Sequence, residues 1–467
     1  MRRLPCAADQ GSNNPPVSLA HTRTERGLVS GQMTSEKASA KRNVVKRGPL
    51  SGVRIADLGW YGVDPETTRI LSWFGAEVIR VEHEAKLDYI RVQPPFALDG
   101  KADASLTVVE AVKQRKFNQS GLYNNFNPGK LCIRLNLARP EGRKLLEELI
   151  NISDVVTENY SYDVMDKWGY NYETLRRIRP DVIYMSMAGM GHAGPDANVK
   201  TVGPSVQALS GLTFMAGLPG QEPSGLGFSY MDHQGAYHNC LAILMAIFHR
   251  NRTGRGQYID GSTTDIAATL TGTKVLDYTA NGRPSRRPDY PAGNRLEHPA
   301  AAPHGVYRCH GDDRWIAIAV FNDNEWRSLV DVMGSPPWAS TPDFKTMGAR
   351  LEHQDDLDQK VNSWTVKFDD IELMQILQKA GVRAGAVFKG ADVERDPQLR
   401  HRKTFVDLDH SAMGRWPFEA VPAKLSATAG GWEWGSPVIA QDNDYFYREV
   451  LGIPDRQVQE LACKGVL

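Results

Sequence analysis

The chain has 467 residues, of which 41% are apolar and 24% charged, the range of a globular protein large enough for two or three domains. Lys+Arg and Asp+Glu both number 55, a balance that disfavours bulk binding to nucleic acid or an anionic membrane while leaving room for a local basic groove. No apolar run approaches the length of a bilayer span. The cysteines (Cys6, Cys132, Cys240, Cys309, Cys463) have no metal-ligand spacing, which predicts a reduced, cytoplasmic setting.

Residues 1–48, with "ADQGSNNPP" and "TSEKASAKRNVVKRG", are polar and aperiodic and predict a disordered leader. No apolar segment follows "MRR" to make a signal peptide, and Met33 is an alternative start. "GVRIADLGW" then reads as a strand, followed by a helix that carries Pro65 near its start and stops at Gly75, and by the strand "EVIRVE". Such short links between strand, helix and strand predict a parallel sheet. The alternation continues through the strand "GKLCIRLNL", the helix "PEGRKLLEELI" and the strand "DVVTENY". One helix across "VMDKWGYNYETLRRIRP" and the strand "DVIYMSMAGMG" follow. The expected fold class is α/β. The first strand–helix turn, "DLGWYGVDPE", lacks G-x-G-x-x-G and no P-loop is present, so neither nucleotide-binding turn is expected.

From Asp232 onward the pattern changes. "GAYHNCLAILMAIFHR" (235–250) predicts a long apolar helix, "YIDGS" a short strand and 308–322 a hairpin turning at Gly-Asp-Asp. "NEWRSLVDVMG" and "DIELMQILQKAG" predict helices of a smaller α+β domain. The expected division is 49–235 for the large domain, 236–300 for a linker helix and lid, and 301–385 for the small domain. Residues 386–467 would return to the large domain and end in a tail. The loop 291–307, rich in Gly and Ala, is the expected lid. His298, His304 and His310 show no ligand spacing, and no metal is expected.

Four stretches carry a resemblance: "PLSGVRIADLG…FGAEVIRVE", "ENYSYDVMDKWGYNYETLRRIRPDVIYMSMAGMGHAGP", "HRNRTGRGQYIDGS" and "AGVRAGAVFKGADVERDPQLRHR". In this order they closely resemble the class III coenzyme A transferases, a family that includes formyl-CoA and carnitine-CoA transferases and the 2-methylacyl-CoA racemases. The resemblance runs over roughly residues 49 to 450. It implies an interlocked dimer of chains, each with a Rossmann-like large domain and a smaller one. It also implies a coenzyme A thioester as substrate, with no tightly bound cofactor. A carboxylate nucleophile would pass through a mixed anhydride and an enzyme–CoA thioester.

In the family an aspartate stands a few residues before a "QA-x-SG" element. That element is "VQALSG" here, and the register places Gly203 at the aspartate's position. Asp196 and Ser205 lie in the same loop, and a serine there would need a neighbouring base. Asp232, in "SYMDHQG", matches a family aspartate at the start of the long helix, and its ordinary reading is a helix cap. This pattern resembles the nucleophile-lacking subunit of benzylsuccinate CoA transferase. It implies a heteromer with a homologous catalytic subunit acting on an aromatic or branched dicarboxylic acid. The alternatives are an active transferase or racemase with a relocated acid, and an acyl-CoA-binding scaffold without turnover.

For CoA binding the resemblance points to His83, Lys86 and Arg91 after "VIRVE", and to Asn125 and Lys130 in "NNFNPGKLC". Leu131 replaces an arginine of the family pattern, which removes one phosphate contact. Glu158 and Asn159 end a parallel strand, where α/β sites form.

Overall fold

The computed structural model describes residues 48–98, 101–103, 105–218, 220–287, 293–296 and 298–467. Residues 1–47 of the expected leader, and residues 291, 292 and 297 of the expected lid, lie outside these.

Six strands build the central sheet: β1 (Arg54–Asp57), β2 (Glu77–Glu82), β3 (Leu131–Arg134), β4 (Val155–Glu158), β5 (Ile183–Ala188) and β6 (Tyr258–Ser262). All pair in parallel, in the order β3-β2-β1-β4-β5-β6. β4 is buried from end to end, and β1 and β2 are buried beyond their first residues, as a sheet covered on both faces requires. From β1 the chain first builds outward through β2 and β3, then returns to place β4 on the other side of β1. The carboxyl ends of β1 and β4 therefore diverge, and in this topology the crevice between them is where ligands bind.

α1 (Val63–Trp73) follows β1 and α2 (Pro140–Asn151) follows β3. α1 stops at Phe74, after which Gly75 takes φ +100°, a conformation that favours glycine. The segment expected as one helix is two, Val164–Trp168 and Tyr172–Ile178. Gly169 breaks it at φ +85°, and the Asn171 side chain caps the second piece by accepting from the Thr174 N–H. Beyond β5 come α3 (Gly203–Leu209), α4 (Tyr230–Thr253), α5 (Thr263–Thr269) and α6 (Gly272–Asn281).

α4 buries Ala236, Cys240, Ile243, Ala246 and Ile247 in the main core. Gly235 lets α4 come close to α1, because a Cβ there would stand 2.7 Å from Val63 Cγ2. On its other side α4 exposes Tyr237, Leu241, Leu244, Met245 and Phe248, a single stripe at helical spacing.

A second, antiparallel sheet joins β7 (His304–Arg308), β8 (Trp315–Ala319) and β9 (Arg383–Ala386) in the order β9-β8-β7. β7 and β8 form the expected hairpin. Their core packs against α7 (Asp323–Val332), α8 (Gln354–Thr365) and α9 (Asp370–Lys379) through Ile316, Ile318, Leu329, Leu357, Val361, Leu373 and Leu377. The hairpin β10 (Phe405–His410) and β11 (Gly414–Glu419) then delivers Leu408 and Phe418 to the main core, which Trp432 also joins.

Candidate functional site

The loop leaving β1 is held at each of three successive residues. The Gly59 N–H donates to Asp57 Oδ1 at 3.0 Å. Asn159, just past β4, accepts from the Trp60 N–H and donates to the Trp60 carbonyl, both at 2.7 Å. The Tyr61 N–H donates to Asp88 Oδ1 at 3.3 Å, where Tyr61 sits at φ +60°, a strained conformation for a side-chain-bearing residue. This loop walls a cavity of about 510 Å³ that residues 159–162, Trp168, residues 199–203 and Asp232 also line.

Asp232 stands in the first turn of α4. The expectation that it caps this helix is corrected. The helix starts earlier than its apolar pattern suggests, Ser229 occupies the cap, and Asp232 lies inside the first turn. Its carboxyl packs against Gly62 at the start of α1 and borders the cavity. Burial raises the carboxyl above the usual aspartate range, opposed by the charge of His233 and a hydrogen bond with Ser229. The N-terminal ends of α1, α4 and α5 all reach this cavity, through Val63, Asp232 and Thr263. Their dipoles favour negative charge there.

Gly203, the position expected for the family aspartate, is the first residue of α3 and borders the same cavity. Nothing lies within 4 Å of a Cβ built on it. Asp196 is exposed and does not line the cavity. The Ser205 hydroxyl accepts from the Val202 N–H at 2.9 Å and donates to the Val202 carbonyl at 2.8 Å, so it closes the start of α3.

The CoA-binding candidates fall in different places. Lys130 is fully buried, and its amine donates to Asp57 Oδ2 (3.0 Å), the Pro65 carbonyl (2.8 Å) and Asn127 Oδ1 (2.8 Å). Burial lowers this amine to about 8 despite the Asp57 charge. Arg91 is also fully buried, bonded to Glu82, Asn118 and Tyr123. Neither can meet a phosphate unless its ion pair opens, and the loss of a buried pair is costly. Asn125 donates to Glu419 at 3.2 Å. His83 closes a turn by accepting from the Ala85 N–H at 3.0 Å, and burial lowers its pKa. Glu158 accepts from Tyr184 at 2.9 Å and from Ser186, and burial raises its carboxyl. It borders a neighbouring cavity of about 440 Å³.

Of the seven candidates, Asn159 and Lys86 line the cavity that holds Asp232, the Lys86 amine 5.6 Å from the centre of the Trp60 ring. The sequence reading passed over Lys200, although it sits in the loop leading to Gly203 and lines the cavity. Among the described residues no cluster of His, Cys, Asp or Glu could hold a metal ion, and no helix is long and apolar enough to cross a membrane.

Residues 50–443 match the model of CoA-transferase family III. The chain is 29% identical over 419 residues to succinyl-CoA–D-citramalate CoA-transferase of Chloroflexus aurantiacus, covering 90% of this chain and 98% of that one. It is 27% identical over 422 residues to the succinyl-CoA–L-malate CoA-transferase beta subunit of the same organism, again covering 90% and 98%. Its structure is similar to that of a CaiB/BaiF family protein from Brucella suis. The TM-score is 0.76 at 27% identity, covering 87% of this chain and all of the other.

Proposed function

This chain belongs to CoA-transferase family III, and we propose that it moves coenzyme A between a thioester and a carboxylic acid with Asp232 as the nucleophile. One observation carries the reading. Asp232 is the one carboxylate among the described residues lining the cavity between the diverging ends of β1 and β4. No carboxylate at position 203 is then needed.

An Asp232 oxygen attacks the thioester carbonyl carbon, the C–S bond breaks, and coenzyme A leaves as its thiolate. The acyl group is now joined to Asp232 as a mixed anhydride. The thiolate attacks the Asp232 carbonyl carbon, releasing the first acid as a carboxylate and leaving an Asp232–CoA thioester. The second acid enters as a carboxylate and attacks that thioester. A new mixed anhydride forms, and the thiolate then attacks its acyl carbon to give the new thioester and free Asp232. No net proton is consumed. The N–H groups at the start of α1, beside Asp232, suit the oxyanion that develops at each attack. Lys86 and Lys200 line the cavity, and a cation there would pair with the coenzyme A phosphates.

The test is to incubate the full chain with an acyl-CoA, add hydroxylamine, and sequence the modified peptide by mass spectrometry. Hydroxamate on Asp232, absent from Asp232→Asn, is expected. An adduct elsewhere, or an Asp232→Asn variant with undiminished transfer, overturns the assignment.

A second reading keeps the chain as the non-catalytic member of a heteromer. Gly203 and the exposed apolar stripe of α4 favour it, and one relative is itself named as a beta subunit. Native mass spectrometry of the protein from its source decides, since a partner that bears its own nucleophile and transfer that survives Asp232→Asn would both be required.

A further inference from the structure

We infer that the acyl group accommodated beside Asp232 is an aryl or comparably bulky apolar one rather than a short dicarboxylic acid, an inference that rests on the cavity being the transfer site proposed above. Three aromatic rings make a continuous wall. Trp60 meets Tyr160 edge to face at 6.0 Å between centroids, and Tyr160 meets Trp168 in the same manner at 5.4 Å. All three line the cavity that Asp232 borders, with Val164, Met187 and Val206 among their neighbours.

A short dicarboxylate brings a second charge that must be paired once buried, because an unpaired carboxylate in an apolar wall costs several kcal/mol. Among the described lining residues there is no arginine to take it. The amide of Asn159 is committed to the Trp60 backbone through both its oxygen and its nitrogen. Lys86 and Lys200 are both exposed and are already assigned to the coenzyme A phosphates, with Lys86 5.6 Å from the centre of the Trp60 ring. A flat apolar acyl group meets the opposite situation. It would add its own edge or face to a row of rings already arranged edge to face, the geometry that aromatic pairs favour.

The experiment measures isotope exchange between an acid and its own CoA thioester, which needs no knowledge of the second substrate. Labelled 3-phenylpropanoate with 3-phenylpropanoyl-CoA is compared with labelled succinate and succinyl-CoA, using the full chain and Trp168→Ala. The expected result is exchange at least tenfold faster for the aryl acid, with that advantage lost in Trp168→Ala because aryl exchange falls at least tenfold further than succinate exchange. Faster exchange of succinate, or an equal loss for both acids in Trp168→Ala, overturns the inference and leaves the transferase reading standing. Should neither acid exchange, the transferase reading fails first. Calorimetric titration with 3-phenylpropanoate and succinate then decides, because tight aryl binding weakened tenfold by Trp168→Ala upholds the inference and its absence sinks it.

Discussion

Gly62 faces Asp232 so closely that a Cβ built on Gly62 would stand 2.8 Å from the Asp232 Cγ and Oδ2. The backbone there is right-handed, at φ −101° and ψ −65°, so a larger residue meets no conformational penalty and only the carboxyl stands in its way. Gly62→Ala is therefore a clean probe of where Asp232 must point. Gly62 is buried and the Asp232 side chain must shift to admit the added methyl, so the variant should lose about 1–3 kcal/mol of stability yet still fold. It should lower kcat by about 10- to 100-fold, because a displacement of even 1 Å at a reacting group costs on the order of 100-fold. Circular dichroism melting and steady-state transfer rates check it, and full activity in the variant would remove Asp232 from the chemistry.

Asn159 holds the Trp60 peptide from both sides. Asn159→Ala removes two hydrogen bonds and leaves both backbone groups of Trp60 without that partner, a loss of about 1–3 kcal/mol in stability. The loop that walls the cavity then loosens, and kcat should fall about tenfold with a smaller change in KM for coenzyme A thioesters. A KM rise with kcat intact would make Asn159 a ligand contact and not a clamp.

Much of this arrangement was legible in the sequence and some was not, for identifiable reasons. β1, α1 and β2 announce themselves because apolar runs are buried on both faces and Gly75 ends the helix at positive φ. Lys130 misleads because its surroundings are decided by Asp57, 73 residues away in sequence. A lysine after a turn gives no local sign that three acceptors await it in the core. Asp232 misleads for the opposite reason. The apolar pattern of α4 begins near Gly235, whereas the backbone turns helical at Tyr230, and that single turn moves the aspartate from a cap to a cavity wall. The aromatic wall escapes a sequence reading altogether, since Trp60 and Tyr160 come from loops after different strands and meet only because β1 and β4 are neighbours.

The Glu82–Arg91 pair predicts the shape of acid unfolding. Burial alone would raise the Glu82 carboxyl, but Arg91 and Arg80 outweigh it and hold it at about 2, against an ordinary value of 4.5. A depressed carboxylate contributes stability that is present above 4.5 and lost as the pH falls towards 2. The shift corresponds to about 3 kcal/mol at neutral pH. Glu82→Gln should therefore be markedly less stable at pH 7, with Arg91 buried beside a neutral partner, and its stability should fall less steeply below pH 4.5. Asp88 acts in the other sense, because burial raises it to about 6 and its contribution fades as pH rises through that value. Denaturant unfolding from pH 2 to 7 separates the two, and parallel curves for Glu82→Gln and the parent would contradict the assignment.

The stripe of Tyr237, Leu241, Leu244, Met245 and Phe248 leaves five large side chains of α4 in water. An exposed apolar face of this kind marks a protein–protein contact. Under the reading of a paired chain, the protein should sediment as at least a dimer or a complex with a homologue. Replacing Leu241 and Phe248 with Glu should shift it to the mass of one chain without lowering its content of helix. Analytical ultracentrifugation gives the answer, and a monomeric parent would leave this face without a partner.

Lys130 separates a structural cation from a phosphate ligand. Its amine is fully buried between Asp57, Pro65 and Asn127, so Lys130→Met should cost about 3–5 kcal/mol by leaving a buried carboxylate short of its partner. Arg80 remains 3.4 Å from Asp57, and Thr68 at 2.8 Å, which keeps the loss at the lower end of that range. The pH dependence carries a second signature. The folded amine titrates at about 8 and the unfolded one at 10.5, so between these values the unfolded chain holds the extra proton and the parent gains stability as pH rises. The variant should lack that rise. Its KM for a coenzyme A thioester should stay within about twofold, whereas loss of a charge-assisted phosphate contact, worth about 1.5–3 kcal/mol, would raise it by tenfold or more. A KM increase of that size in a variant of undiminished stability would place the amine on the coenzyme and not in the core.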